Sequence, residues 1–321
     1  MTKTRISSVT YLFLSMMVSM LLLSCQETPK PIDNKNQALP KNGQTITIGS
    51  KAFTTEQKIL MKMSSMLLRN QGFTVKEMVF RDSPSIRKAM EAGAIDLYWE
   101  YTSTARIYYH KQQPIFDAEQ VYRAVAAEDK KRGLIWLEPT RFNSPWVLVI
   151  NREMSDRLKI RSISDLAEYA NQKDVVLKAA VYTEFMKRND GINRLQDVYG
   201  FSFDRKNLFP IDSKLLSQAV KESRAQLAIG FASDSRIKAY NLVVLEDDRQ
   251  VFPPYHAAPV IQKKMWSNIP EVERVLKTLT EKMTWEEIYD LNYQVEVLHE
   301  DISKVTRQYL EKKGLLSPAT S

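Results

Sequence analysis

Residues 45–80 read TITIGSKAFTTEQKILMKMSSMLLRNQGFTVKEMVF and change their hydrophobic period twice. Thr45 to Ile48 alternate polar and apolar side chains, as a half-buried strand does. From about Thr55 to Arg69 the apolar residues recur at helical spacing, and Phe73 to Phe80 returns to a strand-like pattern. A strand, a helix and a second strand in this order predict an α/β protein, because the helix must cover one face of a sheet.

The same alternation continues downstream. Ser83 followed by Pro84 predicts a helix with Ser83 as its N-cap. Strand-like runs lie at Trp146 to Ile150, Val175 to Ala180, Gln226 to Gly230 and Leu242 to Leu245, separated by helical patterns such as Ser164 to Asn171 and Leu215 to Glu222. Mostly parallel sheets follow from this pattern. From about Pro270 the chain turns helical, with a capping box at Thr284 to Glu287 and a last amphipathic helix near Asp301 to Lys312.

Upstream, residues 11–25, YLFLSMMVSMLLLSC, follow Lys3 and Arg5 and close on Leu22-Leu23-Ser24-Cys25. A basic start, an apolar run shorter than the roughly 20 residues of a membrane span and a small residue before cysteine read as a signal peptide, 1–24, with a lipoprotein cleavage box. Cys25, the only cysteine, is then expected to carry lipid rather than act as a nucleophile or form a disulfide. Residues 25–44 add three prolines and no periodicity, which predicts a flexible tether. The mature chain belongs outside the cytoplasmic membrane, in the periplasm or on the cell surface.

A net charge of +8, 44% hydrophobic and 26% charged residues describe an ordinary globular chain. Its basic residues are scattered along helix-like stretches, so nucleic acid is not expected as a partner. His110, His256 and His299 lie far apart, so no metal site is expected, and the nine glycines form no phosphate-cradling motif. No nucleophile has a nominated base, no cofactor is indicated, and Glu246-Asp247-Asp248 reads as a solvated turn. Enzyme is the weaker class on these residues. Aromatic residues stand out instead: Tyr98-Trp99-Glu100-Tyr101, Phe142 with Trp146, Phe231, and Phe252 to Tyr255. Taken singly each suits a core, but most fall near strand ends, where open α/β sheets bind ligands.

Six ordered motifs carry a family resemblance. Gly49-Ser-Lys-Ala-Phe-Thr-Thr-Glu-Gln57, Gly93-Ala-Ile-Asp-Leu-Tyr-Trp-Glu-Tyr-Thr-Ser-Thr104 and Glu184-Phe-Met-Lys-Arg-Asn-Asp-Gly191 are followed by Ala232 to Ile237, Leu245 to Asp248 and Phe252-Pro-Pro-Tyr255. Together they resemble the substrate-binding proteins of quaternary-amine ABC transporters, which bind glycine betaine, choline or carnitine. The resemblance implies a two-lobed periplasmic-binding-protein fold of the type II kind, each lobe a mostly parallel sheet flanked by helices. Lobe 1 is expected at 45–143 and 246–321, and lobe 2 at 144–245, with a crossing near Ser144 to Trp146. It also implies a monomer that hands a small quaternary amine to a membrane permease.

By the same resemblance the amine sits among Tyr101, Trp146, Phe231 and Tyr255, while Lys51, Thr104 and Arg188 hold a carboxylate and Ser144 lines the site. Each desolvated ring face contributes about 1 to 2 kcal/mol to holding a cation, so four give about 4 to 8 kcal/mol. A micromolar receptor needs about 8 kcal/mol, which leaves a part for the carboxylate end. Trp146 and Phe231 replace tyrosines that many relatives carry, which changes the width of the box. Lys51 favours a zwitterion such as glycine betaine or carnitine, with ergothioneine or choline as alternatives. A further alternative is an anchored enzyme or sensory module on the same fold, with Glu184 or Asp96 as acid or base.

Overall fold

The computed structural model describes residues 44–318. The signal peptide, Cys25 and the tether lie outside the described residues. The chain runs β1 (Thr45–Lys51), α1 (Thr55–Asn70), β2 (Thr74–Phe80), α2 (Ser83–Glu91), β3 (Leu97–Tyr101), a π-helical turn (Thr104–Tyr109), α3 (Ala118–Lys130) and β4 (Leu134–Trp136). It continues through β5 (Trp146–Asn151), α4 (Arg152–Leu158), α5 (Ile163–Ala170), β6 (Ala179–Tyr182), α6 (Ile192–Tyr199), β7 (Leu208–Ile211), α7 (Leu216–Lys221), β8 (Leu227–Phe231), α8 (Arg236–Ala239) and β9 (Leu242–Val244). The last part is β10 (Ala257–Gln262), α9 (Lys263–Asn268), α10 (Pro270–Lys282), α11 (Trp285–Glu296) and α12 (Ile302–Lys312).

Two five-stranded sheets result, ordered β2-β1-β3-β10-β4 and β7-β6-β8-β5-β9. In the first, β10 pairs antiparallel with both β3 and β4; in the second, β5 pairs antiparallel with both β8 and β9. One strand per sheet is therefore reversed and the other four run together, so the sheets are mixed with a parallel majority. In each sheet the reversed strand is the first after the chain arrives from the other sheet. The first sheet is left after β4 and the second after β9.

The α1 helix buries Ile59, Leu60, Met63, Leu67 and Leu68 against the first sheet, with Glu56 in its first turn and Arg69 in its last to complement the helix dipole. The start of α2 differs from the expected one. Asp82 is the N-cap: its side chain accepts from Ser85 N at 3.0 Å, and Ser85 Oγ accepts from Asp82 N at 3.3 Å. Ser83 sits one residue inside, and its hydroxyl is directed elsewhere. Between α5 and β6, the expected strand from Val175 begins only at Ala179, because Asp174 turns the chain at φ 66° and pairing with β7 and β8 starts at residue 179. The Thr284 capping box and the Asp301-capped last helix form as expected. No helix among the described residues is long and apolar enough to cross a membrane.

Candidate functional site

The parallel pairing of β1 with β3 brings their carboxyl ends side by side, which places Lys51 and Tyr101 at one edge of the first sheet. The π-helical turn directly after β3 adds Thr104; single π turns fall frequently at functional sites. In the second sheet, Trp146 opens β5 and Phe231 closes β8, and the two are register partners with ring centroids 4.5 Å apart. The chain beyond β6 supplies Arg188. Gly191 is needed to end that segment, because a Cβ there would collide with the Phe185 carbonyl oxygen. Ser144 and Tyr255 come from the two crossings between sheets, where Ser144 N donates to Tyr255 O at 3.1 Å.

All eight residues named from the sequence line one cavity. Phe53, Ser83 and Glu184 complete its wall. Its volume is about 20 Å³, room for about one water. The rings form a continuous cluster in which Trp146 also meets Phe185 at 4.7 Å, and Phe53 meets Tyr182 at 4.8 Å and Phe231 at 5.9 Å. Phe53, Tyr182 and Phe185 were not named from the sequence, although Phe53 stands inside the 49–57 motif and Phe185 inside the 184–191 motif. Asp96, weighed as an acid or base, does not line the cavity; its carboxylate accepts from Thr47 N at 2.8 Å.

Every charge in the wall has a partner. Lys51 Nζ lies 2.5 Å from Glu100 Oε1, both side chains being buried. Glu100 also accepts from Tyr101 N and Tyr109 OH, each at 2.7 Å. Arg188 grips Asp190 through Nε and Nη2, both at 2.8 Å, and reaches Glu184 with Nη1 at 3.1 Å. Neighbouring Asp190 and Glu184 outweigh burial and hold the guanidinium in its charged form, well above the usual range. Hydrogens remain on Lys51 and Arg188 beyond those so engaged, so both retain capacity for an incoming carboxylate.

Two of the lining phenols are themselves oriented by carboxyl groups. Tyr255 OH donates to Asp190, and Tyr101 OH donates to Glu56 at 2.7 Å. Burial pushes both phenols up, so they remain protonated donors. Burial likewise pushes the Glu56 carboxyl up to about 7. The protein's own cations already use the ring faces: Lys51 Nζ is 5.4 Å from the Tyr101 centroid and Arg188 Cζ 5.5 Å from that of Trp146. Such faces attract a cation within about 6 Å, so the walls suit a positively charged head group.

This is the architecture of a two-lobed binding protein, with the cavity between two sheets at strand ends. Residues 44–312 match the family model described as the substrate-binding domain of an ABC-type glycine betaine transport system, and the chain belongs to that family. It is 33% identical over 278 residues to a glycine-betaine-binding protein of Pseudomonas aeruginosa, covering 85% of this chain and 89% of that protein. It is 31% identical over 264 residues to an ergothioneine transport permease/ergothioneine binding protein of Helicobacter pylori, covering 82% of this chain and 46% of that longer one. Among solved structures, a glycine betaine/carnitine/choline ABC transporter protein superposes with a TM-score of 0.68 at 25% identity, over 84% of this chain and 99% of that one.

Proposed function

We propose that this chain is a lipid-anchored extracytoplasmic receptor that captures a quaternary-ammonium zwitterion of the glycine betaine or carnitine type and delivers it to an ABC permease. The observation that carries this reading is the convergence of Tyr101, Trp146, Phe231 and Tyr255, with Lys51 and Arg188, on one buried cavity between the two sheets. A quaternary ammonium donates no conventional hydrogen bond and is weakly hydrated. Ring quadrupoles therefore attract it at small desolvation cost, while the free hydrogens of Lys51 and Arg188, with Thr104 and Ser144, meet the carboxylate. Family membership and the glycine-betaine-binding relative from Pseudomonas support the ligand class.

Residues 45–143 with 246–321 form one lobe in this reading and 144–245 the other. Lipid on Cys25 keeps the receptor beside its permease, and the protein binds its solute without converting it. The ergothioneine-binding relative supports a second ligand, since ergothioneine is also a trimethylammonium zwitterion. Calorimetric titration of the whole chain with glycine betaine, carnitine, choline and ergothioneine tests the reading, with Trp146→Ala as the control. Loss of one cation–π face of about 1 to 2 kcal/mol should weaken binding about 5- to 30-fold. Binding that survives Trp146→Ala unchanged would remove the cage, and absence of binding by every quaternary amine would remove the reading.

A further inference from the structure

The carboxylate of Glu184 is bound much as a ligand's would be. It reaches across the cleft from the segment after β6, where Oε1 accepts from Ser83 Oγ at 2.9 Å and from Arg188 Nη1 at 3.1 Å, and Oε2 accepts from Ser83 N at 3.1 Å. Ser83, Arg188 and Glu184 all line the cavity, and all three are buried. A hydroxyl, a backbone N–H and a guanidinium converging on one carboxylate make a complete anion seat, and a carboxylate of the protein sits in it. Ser83 is free for this because Asp82 and Ser85 cap α2 without it.

We infer that Glu184 is a specificity-determining residue, a built-in carboxylate that a zwitterionic ligand must displace from Ser83 and Arg188 and that a purely cationic ligand leaves in place. The inference rests on the receptor reading above. Its charge balance is explicit: Lys51 and Arg188 of the wall are answered by Glu184 of the wall and by Glu100 and Asp190 behind it, so with Glu184 seated this network of five side chains holds three acidic groups to two basic ones. A choline-like cation gains from that excess. A betaine brings its own carboxylate and repels Glu184 instead. The displaced side chain has somewhere to go, because Glu184 also borders an outer cavity of about 620 Å³ at the cleft mouth, beside Lys187 and Arg81.

The test is the ratio of affinities for glycine betaine and choline, measured by calorimetry on the whole chain with and without Glu184→Gln. Replacing the carboxylate by a neutral amide loosens its hold on Arg188 and Ser83 and removes the attraction for choline, which should move the ratio about ten- to a hundredfold toward glycine betaine. Tighter binding of glycine betaine itself is expected. A general loss of structure would weaken both ligands together and leave the ratio where it was. Glu184→Ala frees the same donors without an amide in their place, should move the ratio the same way, and serves if the Gln variant melts early. A ratio unchanged within about twofold in a variant that melts at the temperature of the unaltered chain, or moved toward choline, overturns the inference while leaving the receptor reading intact. If the unaltered chain binds neither ligand, the receptor reading fails first and the inference falls with it.

Discussion

Glu56, bonded to the hydroxyl of the cavity-lining Tyr101, is a single buried group whose titration enters the stability of the fold. It is about 2% exposed, accepts from the Tyr101 hydroxyl at 2.7 Å, and is pushed up to about 7 mainly by burial, with Glu296 nearby adding to the effect. The unfolded chain returns Glu56 to about 4.3. The folded state therefore holds the proton more tightly, so this contribution to stability is fully present below about pH 4.3 and is lost as pH rises through about 7. Glu56→Gln keeps an acceptor for Tyr101 and removes the titration. Urea denaturation at pH 5 and pH 8 should then show the variant gaining about 2 to 3 kcal/mol on the unaltered protein across that interval. Parallel pH dependence in the two proteins would show that Glu56 does not titrate there. At this scale Lys51, Tyr101, Thr104, Arg188 and Tyr255 were legible because the quoted motifs carry them, and Ser144, Trp146 and Phe231 through the wider family resemblance, but their partners were not. Glu100 and Asp190 stand inside quoted motifs, yet pairing of Lys51 with Glu100 depends on β1 lying beside β3, a distance of 49 positions along the chain.

Among the elements, helices with caps and edge-defining turns were readable, whereas two kinds of strand were not. β3, LYWEY, is buried at every position and so shows no alternation, and β10, AAPVIQ, holds Pro259 within a strand flanked on both sides by neighbours. Proline in an interior strand argues against that assignment. Tertiary pairing overrides the local signal here: Pro259 faces Trp99, and its carbonyl accepts from Leu137 N at 2.9 Å. What fastens the elements on the far side of the first sheet is Asp129 at the end of α3. It takes two guanidinium nitrogens of Arg87 from α2 at 2.7 and 2.6 Å, His110 Nε2 at 2.7 Å and Trp136 Nε1 of β4 at 2.8 Å. Burial alone would raise this carboxyl, but the hydrogen bonds from Arg87, His110 and Trp136 hold it well below the usual range. Asp129→Asn leaves the Arg87 charge without its buried counter-ion, and only Glu91, at 2.7 Å and partly exposed, remains beside it. A destabilisation of about 3 to 5 kcal/mol is expected in denaturant titration. A cost below about 1 kcal/mol, the range of a surface pair, would mean that the four elements are held by packing alone.

For the molecule as a whole, the contacts between the two sheets fall into two groups with different fates in an opening motion. At the crossings, Ser144 N donates to Tyr255 O and Tyr255 N donates to Asn143 Oδ1 at 2.6 Å, so the two strands of chain that join the sheets are tied to each other and bend together. Across the cleft, by contrast, the bonds must break. Besides Ser83 to Glu184, these include four made by α11, a helix that packs on α1 of the first sheet yet reaches the loop after β8 of the second. Tyr289 OH donates to Ser235 O at 3.1 Å, Asn292 Nδ2 donates to Ser233 O at 2.9 Å, and Glu296 accepts from Ser235 N at 3.2 Å and Ser235 Oγ at 2.7 Å. A cavity with room for about one water admits no quaternary amine while these bonds hold, so under the receptor reading they bear on the balance between closed and open forms. Glu296→Ala removes two of them and the nearby counter-charge to Arg236 at 3.7 Å, at a residue that does not itself line the cavity. Because the same bonds re-form over the bound ligand, a loss of about 1 to 2 kcal/mol in closure should weaken binding of a quaternary amine by up to about 5- to 30-fold. X-ray scattering from the ligand-free variant should show a larger radius of gyration, which returns to that of the unaltered protein when ligand saturates it. An unchanged radius together with unchanged affinity would show that α11 rides with the second sheet and that the remaining bonds across the cleft, Ser83 with Glu184 and Ser213 with the Phe53 carbonyl, hold the closed form.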